Sequence, residues 1–310
     1  MFRLLWNKKA LILLLAVFVA LLPQAAGRPA QMLSKTLLTS VGIDKQDGEY
    51  VLYGQEVKIP KGGQTSGTET VVEGGGVSLG AAINKLAATT GREVSLAHCN
   101  LIVLGAGLDG ENIAELLKYF LNRAELNNNC TILYTKEPVK DMLDEQQQLR
   151  AKFASDNAFG KPPTLERFFK DYLRASSCSV LMQQPGKAAI FKNGRYAFSL
   201  DENQTRALGY LSGGGTKIRI THDNHVLHVL HKKVKINKNK IHMKITAEIE
   251  SDPFLSNSEL TALADVVKSK LELDIKNALE HAYSNGADVL QLGYLYSNFD
   301  IKVDVRIIAE

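Results

Sequence analysis

SNSELTALADVVKSKLELDIKNALEHAYSNG, residues 256–286, reads as one long helix. Ser256 and Glu259 have the spacing of a capping box, in which each side chain satisfies a backbone N–H that the first turn leaves open. Leu260, Ala264, Val267, Leu271, Ile275, Ala278 and Ala282 then recur at about the 3.6-residue period, so one apolar stripe runs to Gly286. A stripe of that length needs a sheet to cover. Upstream, residues 216–249 read as three strands with turns at Asp223-Asn224 and near Asn237, an antiparallel meander. Downstream, the alternation of Val303, Val305 and Ile307 gives a last strand. The expected C-terminal unit is a largely antiparallel sheet packed on one long helix.

Towards the N-terminus the period changes. Apolar residues up to Ile43, then Asp47-Gly48, then Tyr50 to Ile59 spell a hairpin, since Asp-Gly supplies the positive φ of a tight turn. A glycine- and threonine-rich loop is expected over residues 60–76. Ser78 caps a helix that ends at Gly91 and has Leu79, Ala82, Ile83, Leu86 and Ala87 on one face. Strand Leu101 to Leu104, helix Glu111 to Leu121 and strand Thr131 to Tyr134 follow as a βαβ pattern. The Gln146–Gln148 run and Lys161-Pro162-Pro163 mark a boundary, and Thr164 caps a helix with Leu165, Phe168, Phe169, Tyr172 and Leu173 on one side. Ala188 to Phe191, Asn193-Gly194 and Tyr196 to Leu200 form a second hairpin, and Asp201 with Gln204 opens another short helix. The fold class is α+β, a multidomain mixed α/β chain. Its expected divisions are 1–27 (export signal), 28–150 (N-terminal α/β), 151–185 (connecting helical segment) and 186–310 (C-terminal α+β).

The export signal rests on Arg3, Lys8 and Lys9 ahead of an unbroken apolar run from Ala10 to Leu22, closed by Pro23. Such a run rises only ~20 Å as a helix, short of the ~30 Å hydrocarbon core. Ala25, Ala26 and Gly27 offer a cleavage site, so a mature chain starting near Arg28 is expected, with an uncleaved anchor as the competing reading. The formal charge of +4 falls to about +1 without residues 1–27, which hold three basic and no acidic side chains. Net charge therefore points to no anionic partner. The composition, 45% hydrophobic and 23% charged over 310 residues, is that of a globular protein.

Four patterns carry possible chemistry. Gly105-Ala-Gly107-Leu-Asp-Gly110 follows a strand and opens a helix, the arrangement of a dinucleotide-binding turn. Asp109 and Glu111 would set carboxylates where a pyrophosphate must sit, so the reading is a glycine-rich connector, with a nucleotide-dependent oxidoreductase as the enzymatic alternative. His222, His225, His228 and His231 recur every third residue. On a strand only His225 with His231, or His222 with His228, share a side, a poor zinc site but the basis of a metal-binding alternative. Lys232, Lys233, Lys235, Lys238 and Lys240 are read as protection of a sheet edge. No basic and aromatic interleaving points to nucleic acid. Cys99, Cys130 and Cys178 have no CxxC spacing; neighbouring parallel strands could bring Cys99 and Cys130 together, which leaves a bridge open beside the commoner reading of buried free thiols. No catalytic, cofactor or metal residues are assigned.

Several short strings, in their order, resemble the Ger(x)C family of spore-germination proteins, the C subunits of nutrient germinant receptors. They are Val41-Gly-Ile-Asp-Lys45, Leu121-Asn-Arg123 with Ala124-Glu125, Lys187-Ala-Ala-Ile-Phe-Lys192, Leu208-Gly-Tyr-Leu211 and Ala287-Asp-Val-Leu-Gln-Leu-Gly293. The resemblance implies a non-enzymatic α/β protein on the outer face of the spore inner membrane, acting with membrane-embedded A and B subunits and needing no cofactor. The family's lipobox cysteine and Trp-Asp pair have no counterpart between Pro23 and Ala30, so retention by protein contacts rather than by lipid is expected.

Overall fold

The computed structural model describes residues 35–58, 68–122, 125–144, 163–182, 186–211, 219–222, 225–250, 255–293 and 298–308. The export segment, the Asp223-Asn224 turn, the glutamine run, Pro162 and the Arg123-Ala124 part of one family string lie outside the described residues.

The first hairpin forms as its sequence demands. β1 (Lys35–Gln46) and β2 (Glu49–Lys58) pair antiparallel around Asp47 and Gly48, whose φ values of 49° and 86° are both positive. Next comes β3 (Thr68–Gly76), a strand where a loop was expected. Its glycines disguise it, and two of them, Gly74 and Gly76, are there because a helix lies directly on the backbone. A Cβ on Gly74 would stand 2.3 Å from the Ala82 carbonyl oxygen. That helix, α1 (Leu79–Thr90), is capped by Ser78 and closed by Gly91 at φ 66°.

Four strands form a parallel centre: β1, β5 (Leu101–Gly105), β6 (Thr131–Thr135) and β7 (Ser177–Met182). All five residues of β5 are buried, the signature of a strand covered on both faces. α2 (Ile113–Leu121) and α4 (Leu165–Ala175) join α1 on one face, where Ile83, Leu86, Leu117, Phe120 and Phe168 meet. The opposite face takes α3 (Val139–Asp144) and α5 (Glu202–Leu211). The second hairpin, β8 (Ala188–Lys192) and β9 (Arg195–Leu200), continues from β7, while short β4 (Glu93–Ser95) pairs with β1. The nine-stranded order is β3-β2-β1-β5-β6-β7-β8-β9, with β4 beside β1. The 151–185 segment thus supplies a covering helix and a sheet strand, and the sheet's hydrogen bonds run on past residue 186.

The C-terminal unit has the expected architecture. β10 (Arg219–His222), β11 (His225–Asn237) and β12 (Lys240–Ile249) form the antiparallel meander. The long helix α6 (Asn257–Ser284) starts at a complete Ser256–Glu259 capping box. It carries the chain back across the sheet, so β13 (Asp300–Ile308) lies parallel to β12. Its buried stripe of Val267, Leu271, Ile275, Ala278 and Ala282 meets Ile241, Met243, Ile245 and Val303. This cluster is continuous with Val103, Leu133 and Ile190 of the large sheet, so one apolar core joins the two sheets.

One apolar expectation fails at a helix edge. Leu173 on α4 is 81% exposed, because it lies one step around the helix from the true buried stripe. Cys99 and Cys130 are buried free thiols whose Sγ atoms stand 3.9 Å apart, brought together at the start of β5 and β6.

Candidate functional site

The glycine turn after β5 is occupied by the protein itself. Asp44, at the end of β1, places Oδ1 3.0 Å from the Gly107 N–H and 2.9 Å from the Lys45 N–H, accepting both. A Cβ on Gly105 would stand 2.5 Å from that oxygen, and one on Gly107 would stand 2.3 Å from the Lys45 carbonyl oxygen. Gly105 and Gly107 are therefore glycines because β1 ends against them; Gly110 has open space around it. The neighbouring carboxylates are also engaged. Asp109 accepts from the Tyr134 hydroxyl at 2.8 Å, and burial raises its pKa despite that bond. Glu111 takes Lys45 at 2.5 Å and the Tyr50 hydroxyl at 3.0 Å, and these hydrogen bonds, Lys45 first, lower its pKa. An anion meeting this turn faces a resident carboxylate, so the nucleotide-dependent alternative loses its physical basis.

The histidine alternative also changes. A bulge between Val229 and His231 inserts one residue into β11 and reverses the alternation beyond it. His225 pairs with His222 on the side of buried Leu227, whereas His231 pairs with Thr246 on the outer side. His225 and His231 thus face opposite sides of the sheet, and so do His222 and His228, which undoes both pairings expected from parity. Among the described residues no three His, Cys, Asp or Glu side chains are grouped to hold a metal.

The lysines need a new account only in part. β12 lies between β11 and β13, so Lys240 guards no edge, whereas β10 pairs with β11 only over His225–His228 and, among the described residues, leaves open the edge beside Lys233 and Lys235. The alternation puts their apolar neighbours inward and these lysines on the solvent face.

The structure instead draws attention to a cleft where the two sheets meet. It has a volume of about 240 Å³, and its walls include Arg167, Asp171, Cys178, Leu208, Ile236 and Gln291. α4 and its left-handed cap Ser176 (φ 51°) aim Asp171 and Arg174 at the turn that follows α6. Gln291, itself at φ 58°, donates to Asp171 Oδ1 at 2.6 Å and accepts from Arg174 at 3.4 Å. Asp288 organises the turn: it accepts from the Tyr283 hydroxyl at 2.6 Å and from the backbone N–H groups of Leu292 and Gly293 at 3.0 and 2.7 Å. Lys192, at the end of β8, donates to the Asn285 carbonyl at 3.4 Å. Cys178 is held as a neutral thiol, since burial and then the charge of Asp171 raise its pKa. The cleft therefore presents a hydrogen-bonded clasp, and a second hollow, whose walls include Lys192, Asp288 and Gly293, brings two of the family-like strings, Lys187–Lys192 and Ala287–Gly293, together. No spacing rule links residues more than a hundred positions apart, and the strings were the one sequence signal for this place.

Comparison with known proteins now gives the class. Residues 34–182 match the model described as spore germination protein N-terminal domain, and residues 186–308 match the one described as spore germination B3/GerAC like, C-terminal. The chain belongs to the Ger(x)C family of spore germination proteins. The two matches meet between residues 182 and 186, in the connection from β7 to β8. A solved structure titled as the crystal structure of the GerBC protein aligns at 17% identity and a TM-score of 0.48, over 86% of this chain and 96% of that one. No curated protein matches the chain. Among the described residues, no helix is long and apolar enough to cross a membrane.

Proposed function

We propose that the chain is a non-catalytic, extracytoplasmic subunit of a spore germinant receptor, acting in nutrient-triggered germination beside membrane-embedded A and B subunits. One observation carries the reading: both halves of the family pattern are matched, in order, across residues 34–308. The export signal at Arg3 to Gly27 supports a place on the outer face of the cytoplasmic membrane, which becomes the spore inner membrane. With no cysteine near residue 27 to take a lipid, protein contacts hold the chain there. The cleft supports a scaffold role, since Asp171 and Gln291 spend a hydrogen bond on joining α4 to the turn after α6, and Asp288 holds that turn in shape.

The test is removal of the gene in its own spore-forming host. Spores lacking the chain should lose their response to at least one nutrient, while an agent that bypasses nutrient receptors still triggers them. If the mutant spores answer every nutrient as the parent does, the reading fails.

A further inference from the structure

The outer face of the C-terminal sheet carries a block of charge that no described element covers. Three successive rungs across β11, β12 and β13 read Lys235–His242–Lys302, Lys233–Lys244–Asp304 and His231–Thr246–Arg306. The block measures about 10 by 14 Å, from strand spacing and the repeat along a strand. It holds five permanent cations, all exposed, against one carboxylate. That carboxylate is already shared: Asp304 lies 2.7 Å from His242 Nε2 and 3.7 Å from Lys244 Nζ. Lys233 stands directly opposite Lys244, a like-charge pair that destabilises a sheet. Edge protection fits Lys233, Lys235, Lys302 and Arg306, which border open stretches of β11 and β13, but it does not reach Lys244 on β12 between them. An anionic partner outside the sheet offsets the repulsion of the whole block.

Beside the block lies a large apolar side chain that is exposed. The bulge in β11 leaves Leu230 between the inward Val229 and the outward His231, and its side chain is 47% exposed. An exposed leucine bordering a cationic surface suits the headgroup boundary of a bilayer, where the charges meet phosphate and the leucine enters the acyl edge. The block has no aromatic side chain on which a base could stack, which disfavours single-stranded nucleic acid.

We propose that the outer face of the β11-β12-β13 sheet docks on an anionic phospholipid surface, with Leu230 entering the headgroup layer. The proposal needs neither receptor partners nor nutrient, so it stands or falls separately from the germination reading.

The experiment uses the chain from Arg28 onward, which retains every described strand and helix and, because Trp6 is the single tryptophan, contains none. It should sediment with phosphatidylglycerol vesicles and not with phosphatidylcholine vesicles. Lys233→Glu with Lys302→Glu should lower the partition coefficient at least about tenfold. Lys85→Glu with Lys140→Glu, the same change of net charge on exposed residues elsewhere, should leave it within about twofold of the parent. Leu230→Trp should give an emission that shifts to the blue on adding anionic vesicles. Equal losses in the two charge-reversed proteins would reduce the effect to bulk charge and overturn the proposal. So would an unshifted Leu230→Trp emission, or binding to nucleic acid in place of vesicles.

Discussion

Leu271→Asp should lower the stability of the protein by about 4 kcal/mol or more, the loss of a buried leucine compounded by burial of an unpaired carboxylate. Leu271 is 2% exposed, and it sits on α6 where the helix crosses the C-terminal sheet. Since the apolar cluster around it is continuous with the face of the nine-stranded sheet, the damage should not stay local. Leu273→Lys, two residues away but 57% exposed, should stay within about 0.5 kcal/mol. Denaturant midpoints of the two variants measure the contrast. Similar midpoints would mean that α6 packs with a different face.

The second large effect is expected at the glycine turn. Gly107→Ala forces a methyl group to 2.3 Å from the Lys45 carbonyl and into the Asp44 carboxylate that closes the turn, so it should cost about 2–3 kcal/mol. Gly110→Ala meets nothing within 4 Å and should be neutral to within about 0.5 kcal/mol. A phosphate cradle would behave otherwise, because a dinucleotide bound only by the native state would raise the denaturation midpoint. Adding NAD should leave the midpoint of the parent unchanged. A rise with NAD, or an equal cost at Gly110, would restore the nucleotide reading and displace the structural one.

Where one segment carries its own signal, the sequence was enough. The capping boxes at Ser256 and Asp201 and the left-handed residues at Asp47, Asn193 and Gly91 are local features, and each fell where expected. The stripe on α6 was legible because a long helix repeats its period many times. Elements defined by their neighbours were not. β3 was hidden because Gly74 and Gly76 answer to α1 rather than to strand propensity, and β7 opens on Ser-Cys-Ser, which shows no apolar run. The bulge at Leu230 leaves no mark in composition, yet it reverses which histidines share a face. For the same reason Lys240 of β12 looked like an edge guard: that β12 is interior depends on β13, far along the chain. The cleft was the hardest to see. Asp171 and Gln291 are 120 positions apart, and their 2.6 Å hydrogen bond exists only once α4 and the turn after α6 are docked.

The central claim is that this chain serves as a subunit of a membrane receptor in spores, and affinity capture tests it most directly. The tagged full-length chain, expressed at its native level, should be solubilised from the inner membrane of dormant spores and its companions identified by mass spectrometry. The account predicts that multi-spanning A- and B-type receptor subunits are recovered with it in comparable amounts. Recovery of the chain alone, from a membrane fraction in which those subunits are present, would contradict it.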